Sequence, residues 1–279
     1  MIHPLQFSQL ARSLTIDQIS SPFLARYESS LTVSDIFDEW TIRLCGEKGL
    51  DPDDQISLVV TNGQPVGWIG YDMLEAGEIL ENCMEPVTID STLPSNTSLL
   101  DFASKFAIKE INLFLVSDGN QYIGWLTYEH LHTTPLRFSL FAMLIDLERL
   151  LLKVALLSPE ISIALLPEGR IQNAKRVYKI RGYQKKGHLQ YYNSKLLECT
   201  TMIDKFTICR RLQSLLERVP KLANKRLCNT TERLRNEIAH CALEQESSKI
   251  LSRQTLLPFV QWIEELQTQL ESYLNTIEY

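Results

Sequence analysis

The chain lacks the signatures of the common enzyme classes. It contains no Gly-x-Ser-x-Gly, no Gly-x-Gly-x-x-Gly and no phosphate-binding loop, which excludes the usual sequence forms of serine hydrolases, dinucleotide oxidoreductases and P-loop NTPases. It has no metal-ligand cluster: its six cysteines form no Cys-x-x-Cys and pair with no histidine at ligand spacing, so no metal is expected. There is no signal-peptide pattern. Scattered thiols without a leader are expected of reduced cysteines in a cytoplasmic protein, where the sequons at Asn96 and Asn229 carry no meaning. A long uncharged apolar run is also missing. The most apolar stretch, 138–157, is interrupted by Asp146, Glu148, Arg149 and Lys153, so it reads as a core helix and no membrane partner is expected.

What the chain does have is an uneven charge. Residues 1–150 hold 8 Lys and Arg against 21 Asp and Glu, while residues 151–279 hold 20 against 13. An acidic half followed by a basic half implies two domains with different partners, the basic one suited to polyanions. Mutual attraction of the two halves would give the same pattern. At 279 residues there is length for two separate cores.

The acidic half repeats itself. Val66–Leu74 matches Ile123–Leu131, with Gly, Trp, Tyr and Leu in register 57 residues apart. An alternating apolar run precedes each copy, Ile56–Val60 and Leu113–Val116, and each run reaches a hairpin signal, Asn62-Gly63 or Asp118-Gly119. Earlier in each copy the sequence predicts a helix with a polar start: Val33–Trp40 after Thr32, and Leu99–Phe106 after Ser98. Each unit therefore reads as helix, strand, tight hairpin, strand, short helix.

The segment from Met84-Glu-Pro-Val-Thr-Ile89 through Leu113-Phe-Leu-Val-Ser-Asp-Gly-Asn-Gln-Tyr-Ile-Gly-Trp-Leu-Thr-Tyr-Glu-His-Leu131 closely resembles a CBS domain. Residues 15–80 resemble a more divergent copy, and the pair is read as a tandem module over 1–136, its second copy at 81–136. The resemblance implies a pseudo-symmetric disc with clefts that take adenine nucleotides, and stacking of discs into dimers. The family holds phosphate and ribose with a Ser or Thr after the last strand and an Asp three residues later. By position these are Thr127 and His130 in the second copy, and Gly70 and Met73 in the first. A regulatory adenine nucleotide is thus expected in the second cleft at most, with a purely structural dimerisation disc as the alternative. Nearby cations are few: Lys105, Lys109 and Arg137.

After Pro135 the apolar spacing becomes helical, at Phe138–Leu157 and at about 160–181, 195–218, 222–244 and 255–277, punctuated by Pro159, Pro167, Pro220 and Pro258. The overall class is α+β: an α/β module followed by an all-α bundle of four or five helices over 137–279. Between 169 and 195 there are eight Lys and Arg and no acid, interleaved with Tyr178, Tyr183, Tyr191 and Tyr192. Cations with flat partners suit single-stranded nucleic acid, although a solvated face with packed tyrosines would look the same.

Within this basic half stands Arg235-Asn236-x-x-x-His240. On a helix Asn236 and His240 share a face, with Arg235 at its edge. The segment Arg233–His240, late in a helix of an all-α domain that begins with a long apolar helix, resembles a HEPN domain. The resemblance implies a metal-independent endoribonuclease that needs no catalytic cofactor and dimerises to bring two such motifs to one cleft. His240 would act as general base or acid, Arg235 would stabilise phosphoryl charge and Asn236 would orient the histidine or a phosphate oxygen. Lys225, Arg226, Arg233, Arg181, Lys185 and Lys186 are the candidate RNA contacts. The expected partners are RNA, a second copy of the chain, the nucleotide, and an antitoxin or other inhibitory protein if the chain is a toxin or defence ribonuclease. The rival is a non-catalytic, nucleotide-responsive regulator that binds RNA or protein, with Arg235 paired to Glu232 or Glu237 on its own helix and His240 a packing residue.

Overall fold

The structure, a computed structural model, describes residues 13–46, 55–74, 77–108, 111–183, 189–239 and 253–277. The chain divides into two compact units, one formed by Leu14–Pro135 and one by Ser13 together with the described residues from Leu136 on.

The first unit is mixed α/β. A 3-10 turn at Ile16–Gln18 leads into β1 (Arg26–Glu28), α1 (Val33–Gly46), β2 (Ile56–Thr61), β3 (Gln64–Gly70) and a 3-10 turn at Tyr71–Met73. Then come α2 (Leu80–Cys83), β4 (Glu85–Pro86), β5 (Thr92–Pro94), α3 (Leu99–Ile108), β6 (Leu113–Asp118), β7 (Gln121–Thr127) and a 3-10 turn at Tyr128–His132. One sheet has the order β1-β2-β3-β4 and the other β5-β6-β7. In each, the first strand is parallel to the second and the hairpin is antiparallel. Even the irregularity repeats: a bulge at Val59/Val60 in one hairpin recurs at Val116/Ser117 in the other.

Local chemistry explains these elements. Thr32 and Ser98 each cap the following helix, exchanging hydrogen bonds with Asp35 and Asp101. Asn62 and Gly63 both have positive φ, at 52° and 74°, as a type I′ turn requires. The second hairpin differs from expectation. Asp118 pairs with Gln121, so its turn residues are Gly119 and Asn120, and Gly119 alone has positive φ, the pattern of a type II′ turn.

The two copies exchange their leading segments. Leu14 O accepts from Leu99 N and Ile16 N donates to Thr97 O, both at 3.0 Å, so the lead of copy one docks on copy two. Correspondingly, Glu78 O accepts from Val33 N and Leu80 N donates to Leu31 O, both at 2.9 Å. The exchange continues along the sheets, where Ser21 pairs with Trp125 and β4 pairs with β3. Gly67 and Gly124 permit the approach: a Cβ on Gly124 would stand 2.6 Å from Ser21 O, and one on Gly67 would stand 2.8 Å from Glu85 O. Tyr27, Val33, Ile36, Trp40, Val59, Ile69 and Leu80 form a core under β1–β3; Leu80 comes from the lead of the other copy, which therefore already includes Glu78 and does not begin at the 81 expected from the sequence.

The described part of the second unit is helical: α4 (Thr134–Leu156, which starts in the first unit), α5 (Pro159–Ala164), α6 (Glu168–Ile180), α7 (Leu189–Leu197), α8 (Met202–Arg211), α9 (Gln213–Arg218), α10 (Lys225–Ala239) and α11 (Arg253–Ile277). Two of the long helices expected from apolar spacing are broken. Pro167 starts α6 afresh, and the Thr201–Asp204 capping box starts α8 within the expected 195–218 helix. Pro258, expected to punctuate, lies inside α11 and is exposed.

Candidate functional site

The Arg235 motif sits on α10. Asn224 caps this helix, its Oδ1 accepting from Leu227 N at 3.1 Å. Cys228, Thr231 and Leu234 form its buried stripe, which turns Lys225, Arg226 and Arg233 outward as exposed cations. Arg235 and Asn236 fall at the edge of the stripe and are half-buried. The Arg235 guanidinium donates to Asn236 Oδ1 at 3.1 Å and stands 3.6 Å from Glu148 Oε2 on α4. His240, Lys185 and Lys186 lie outside the described residues.

Glu148 joins three helices. Its Oε1 accepts from Lys205 Nζ of α8 at 2.8 Å, while its Oε2 faces Arg235 of α10. Lys205 is only 2% exposed, and its ammonium also donates to Thr200 O at 2.7 Å. A buried ammonium needs such partners, because taking it out of water is costly otherwise. Glu232, one turn before Arg235, completes the cluster. Burial pushes its carboxyl above the ordinary range, opposed by Arg235, reinforced by Glu148 and opposed again by hydrogen bonds from the Ile203 backbone and Asn236. Within this cluster two buried atoms have no hydrogen-bond partner among the described residues, Glu232 Oε2 and Arg235 Nε.

Sequence reasoning missed Glu148 and Lys205 as members of this site; it names Glu232 as a same-helix partner of Arg235, whereas the ion pair of Arg235 is with Glu148. A signal for Glu148 existed, since a carboxylate inside the most apolar segment of the chain calls for a cationic partner. Lys205 carried none.

The tyrosines of the basic stretch mostly pack on one another. Tyr178 is buried, with the Tyr183 and Tyr192 rings each centred 5.2 Å from it. Tyr191 is exposed, and Lys195 Nζ lies 5.9 Å from both the Tyr183 and Tyr191 ring centroids while paired to Glu198. Arg181 is exposed and donates to Glu198 O at 3.3 Å. So the stacking platform expected of four tyrosines has one outward ring.

In the first unit, Thr127 and His130 are brought together by the final 3-10 turn. Thr127 N donates to His130 Nδ1 at 2.9 Å, which makes Nε2 the protonated nitrogen of a neutral ring, and Nε2 lies 3.1 Å from Ser21 Oγ. The ring is buried edge-on to Trp125. In the first copy Gly70 N donates to Met73 Sδ at 3.3 Å, the same capping geometry with a thioether acceptor.

Among the described residues no group of His, Cys, Asp and Glu could hold a metal ion, and no helix is long and apolar enough to cross a membrane. Burial pushes the thiols of Cys209 and Cys228 up, the latter to about 11, so neither is a nucleophile near neutrality.

The sequence matches no protein-family model and no curated protein. Similar solved structures cover its N-terminal part. The ATP-bound CBS domain of a bacterial CNNM/CorC family Mg2+ transporter is 15% identical over 45% of this chain and 92% of that one, with a TM-score of 0.33. A conserved CBS domain protein of unknown function from Thermoplasma acidophilum is 14% identical over 46% and 75%, with a TM-score of 0.34. The CBS domains of a transcriptional regulator from Streptococcus pneumoniae are 13% identical over 42% and 96%, with a TM-score of 0.31.

Proposed function

We propose that this chain is a metal-independent endoribonuclease of the HEPN type, working as a homodimer whose composite site draws Arg235, Asn236 and His240 from both copies. The observation that carries this reading is the Arg235–Asn236 contact at 3.1 Å, with the Arg235 side chain still one-third exposed and His240 next in sequence after α10. One His240 removes the proton of a ribose 2′-OH, and O2′ attacks the adjacent phosphorus. The P–O5′ bond breaks, and His240 of the second copy protonates the departing 5′-oxygen. Arg235 offsets the charge gathering on the phosphoryl oxygens. The products are a 2′,3′-cyclic phosphate and a 5′-hydroxyl. Exposed Lys225, Arg226, Arg233 and Arg181 supply phosphate contacts.

The repeat unit is proposed as the regulator, an adenine nucleotide binding beside Thr127 and altering how two copies meet. Support comes from the resemblance of the repeat to CBS domains, one of which is known with ATP bound. A second reading, a non-catalytic nucleotide-responsive regulator, is favoured by one observation: Arg235 already has a protein carboxylate, Glu148, beside it.

Mixed RNA incubated in EDTA with wild type, Arg235→Ala and His240→Ala, with and without ATP, separates the two. The enzyme reading expects fragments from wild type alone. Intact RNA throughout, with RNA binding retained by wild type, supports the regulator and overturns the enzyme.

A further inference from the structure

We infer that Glu148 is a positioning residue of the Arg235 site, fixing the guanidinium against the helix bundle through a Lys205–Glu148–Arg235 chain. The inference rests on the ribonuclease reading and deepens it.

Asn236 touches the Arg235 guanidinium, but it is the next residue of the same helix and moves with it. It therefore sets a local orientation only. Glu148 belongs to α4 and reaches the guanidinium from outside α10, so it alone among the two ties Arg235 to another helix. Glu148 is fixed in turn. Its other oxygen receives the buried Lys205 ammonium, which a second bond to Thr200 O ties to the start of α8.

The charges are also suited to a phosphate site. Facing one another are two cations, Lys205 and Arg235, with Glu148 between them and Glu232 beside them. Glu148 counters one positive charge. Of the two cations Arg235 is the more exposed, at 34% of its side chain against 3% for Lys205, so it is the one that a phosphate can reach. A carboxylate that held Arg235 and neutralised it fully would weaken phosphate recognition. Sharing Glu148 with Lys205 holds the guanidinium and leaves its charge available.

A merely structural role for Glu148, as counter-ion to Lys205, makes a different prediction. The double variant Glu148→Leu/Lys205→Met removes both buried charges while keeping apolar volume, a replacement that buried ion pairs usually tolerate. Arg235 remains but loses its anchor. The positioning role predicts a thermal midpoint near wild type and a kcat for RNA cleavage lowered about 100-fold, with KM little changed, as a misplaced catalytic group gives. Glu148→Gln, which keeps shape and loses charge, is expected to show the same kcat loss and guards against a double variant that fails to fold. Wild-type kcat in either variant overturns the positioning role while leaving the ribonuclease reading intact. Should wild type itself leave RNA whole, with and without ATP, the ribonuclease reading falls and the inference falls with it.

Discussion

Met73 Sδ and His130 Nδ1 occupy matching points of the two repeats, each accepting the backbone N–H of the residue three places earlier, at 3.3 Å and 2.9 Å. Both side chains close the 3-10 turn that ends their copy. His130 does more, since its Nε2 also meets Ser21 on the leading segment that arrives from the other copy. Replacing His130 by Ala removes the acceptor for Thr127 N. The expected cost is about 1 kcal/mol, typical of a lost cap, read as a lower urea midpoint with unchanged slope.

The exchanged leading segments give a second expectation. A methyl group at Gly124 would stand 2.6 Å from the backbone oxygen of Ser21, which no side-chain rotation can relieve. Gly124→Ala should therefore displace the Ser21–Trp125 pairing and cost about 1–3 kcal/mol. Limited proteolysis should then cut near residue 21 faster than in wild type. Equal cutting rates would mean that the segment yields without detaching.

Glu232 predicts a pH dependence. Its folded-state pKa is raised, chiefly by burial, so the folded protein holds a proton that the unfolded chain releases at the ordinary glutamate value. The sign follows from linkage: the unfolded state binds fewer protons between the two pKa values, so stability falls as pH rises through that interval. Glu232→Gln should remove this fall. Urea midpoints measured from pH 4 to pH 8 should converge for wild type and variant at the acid end, with the variant ahead at neutral pH.

A nucleotide in the second repeat would stabilise the folded chain by mass action, about 2.7 kcal/mol at a hundredfold excess over Kd. ATP is expected to raise the thermal midpoint, and Thr127→Ala to remove most of that rise. An unchanged midpoint with ATP would leave the repeat unit as a structural disc.

Local features were legible in the sequence, and long-range pairings were not. Thr32 and Ser98 were readable as caps, and Asn62-Gly63 as a turn, because each depends on a few adjacent residues. β1 and β5 are three residues long and β4 two, too short for an alternation to show, and they exist only because a distant strand offers free edges. The exchange of leading segments is non-local throughout, as in the pairing of Thr15 with Ser98. The start of α8 was an exception, since Thr201-x-x-Asp204 is a capping signal inside what apolar spacing alone made one long helix. At the candidate site, Arg235 and Asn236 stood out by motif. Glu148 and Lys205 are 57 residues apart and meet only through the packing of α4 on α8.

The most direct test of the account is the chemistry of the RNA ends. Wild-type protein in EDTA, with ATP present in one arm, is incubated with a defined single-stranded RNA and with the same sequence as DNA. Wild type should give RNA fragments ending in 2′,3′-cyclic phosphate and beginning with 5′-hydroxyl and leave the DNA whole, and His240→Ala should give no RNA fragments. Fragments with 3′-hydroxyl ends, or equal cleavage by His240→Ala, would contradict the ribonuclease reading.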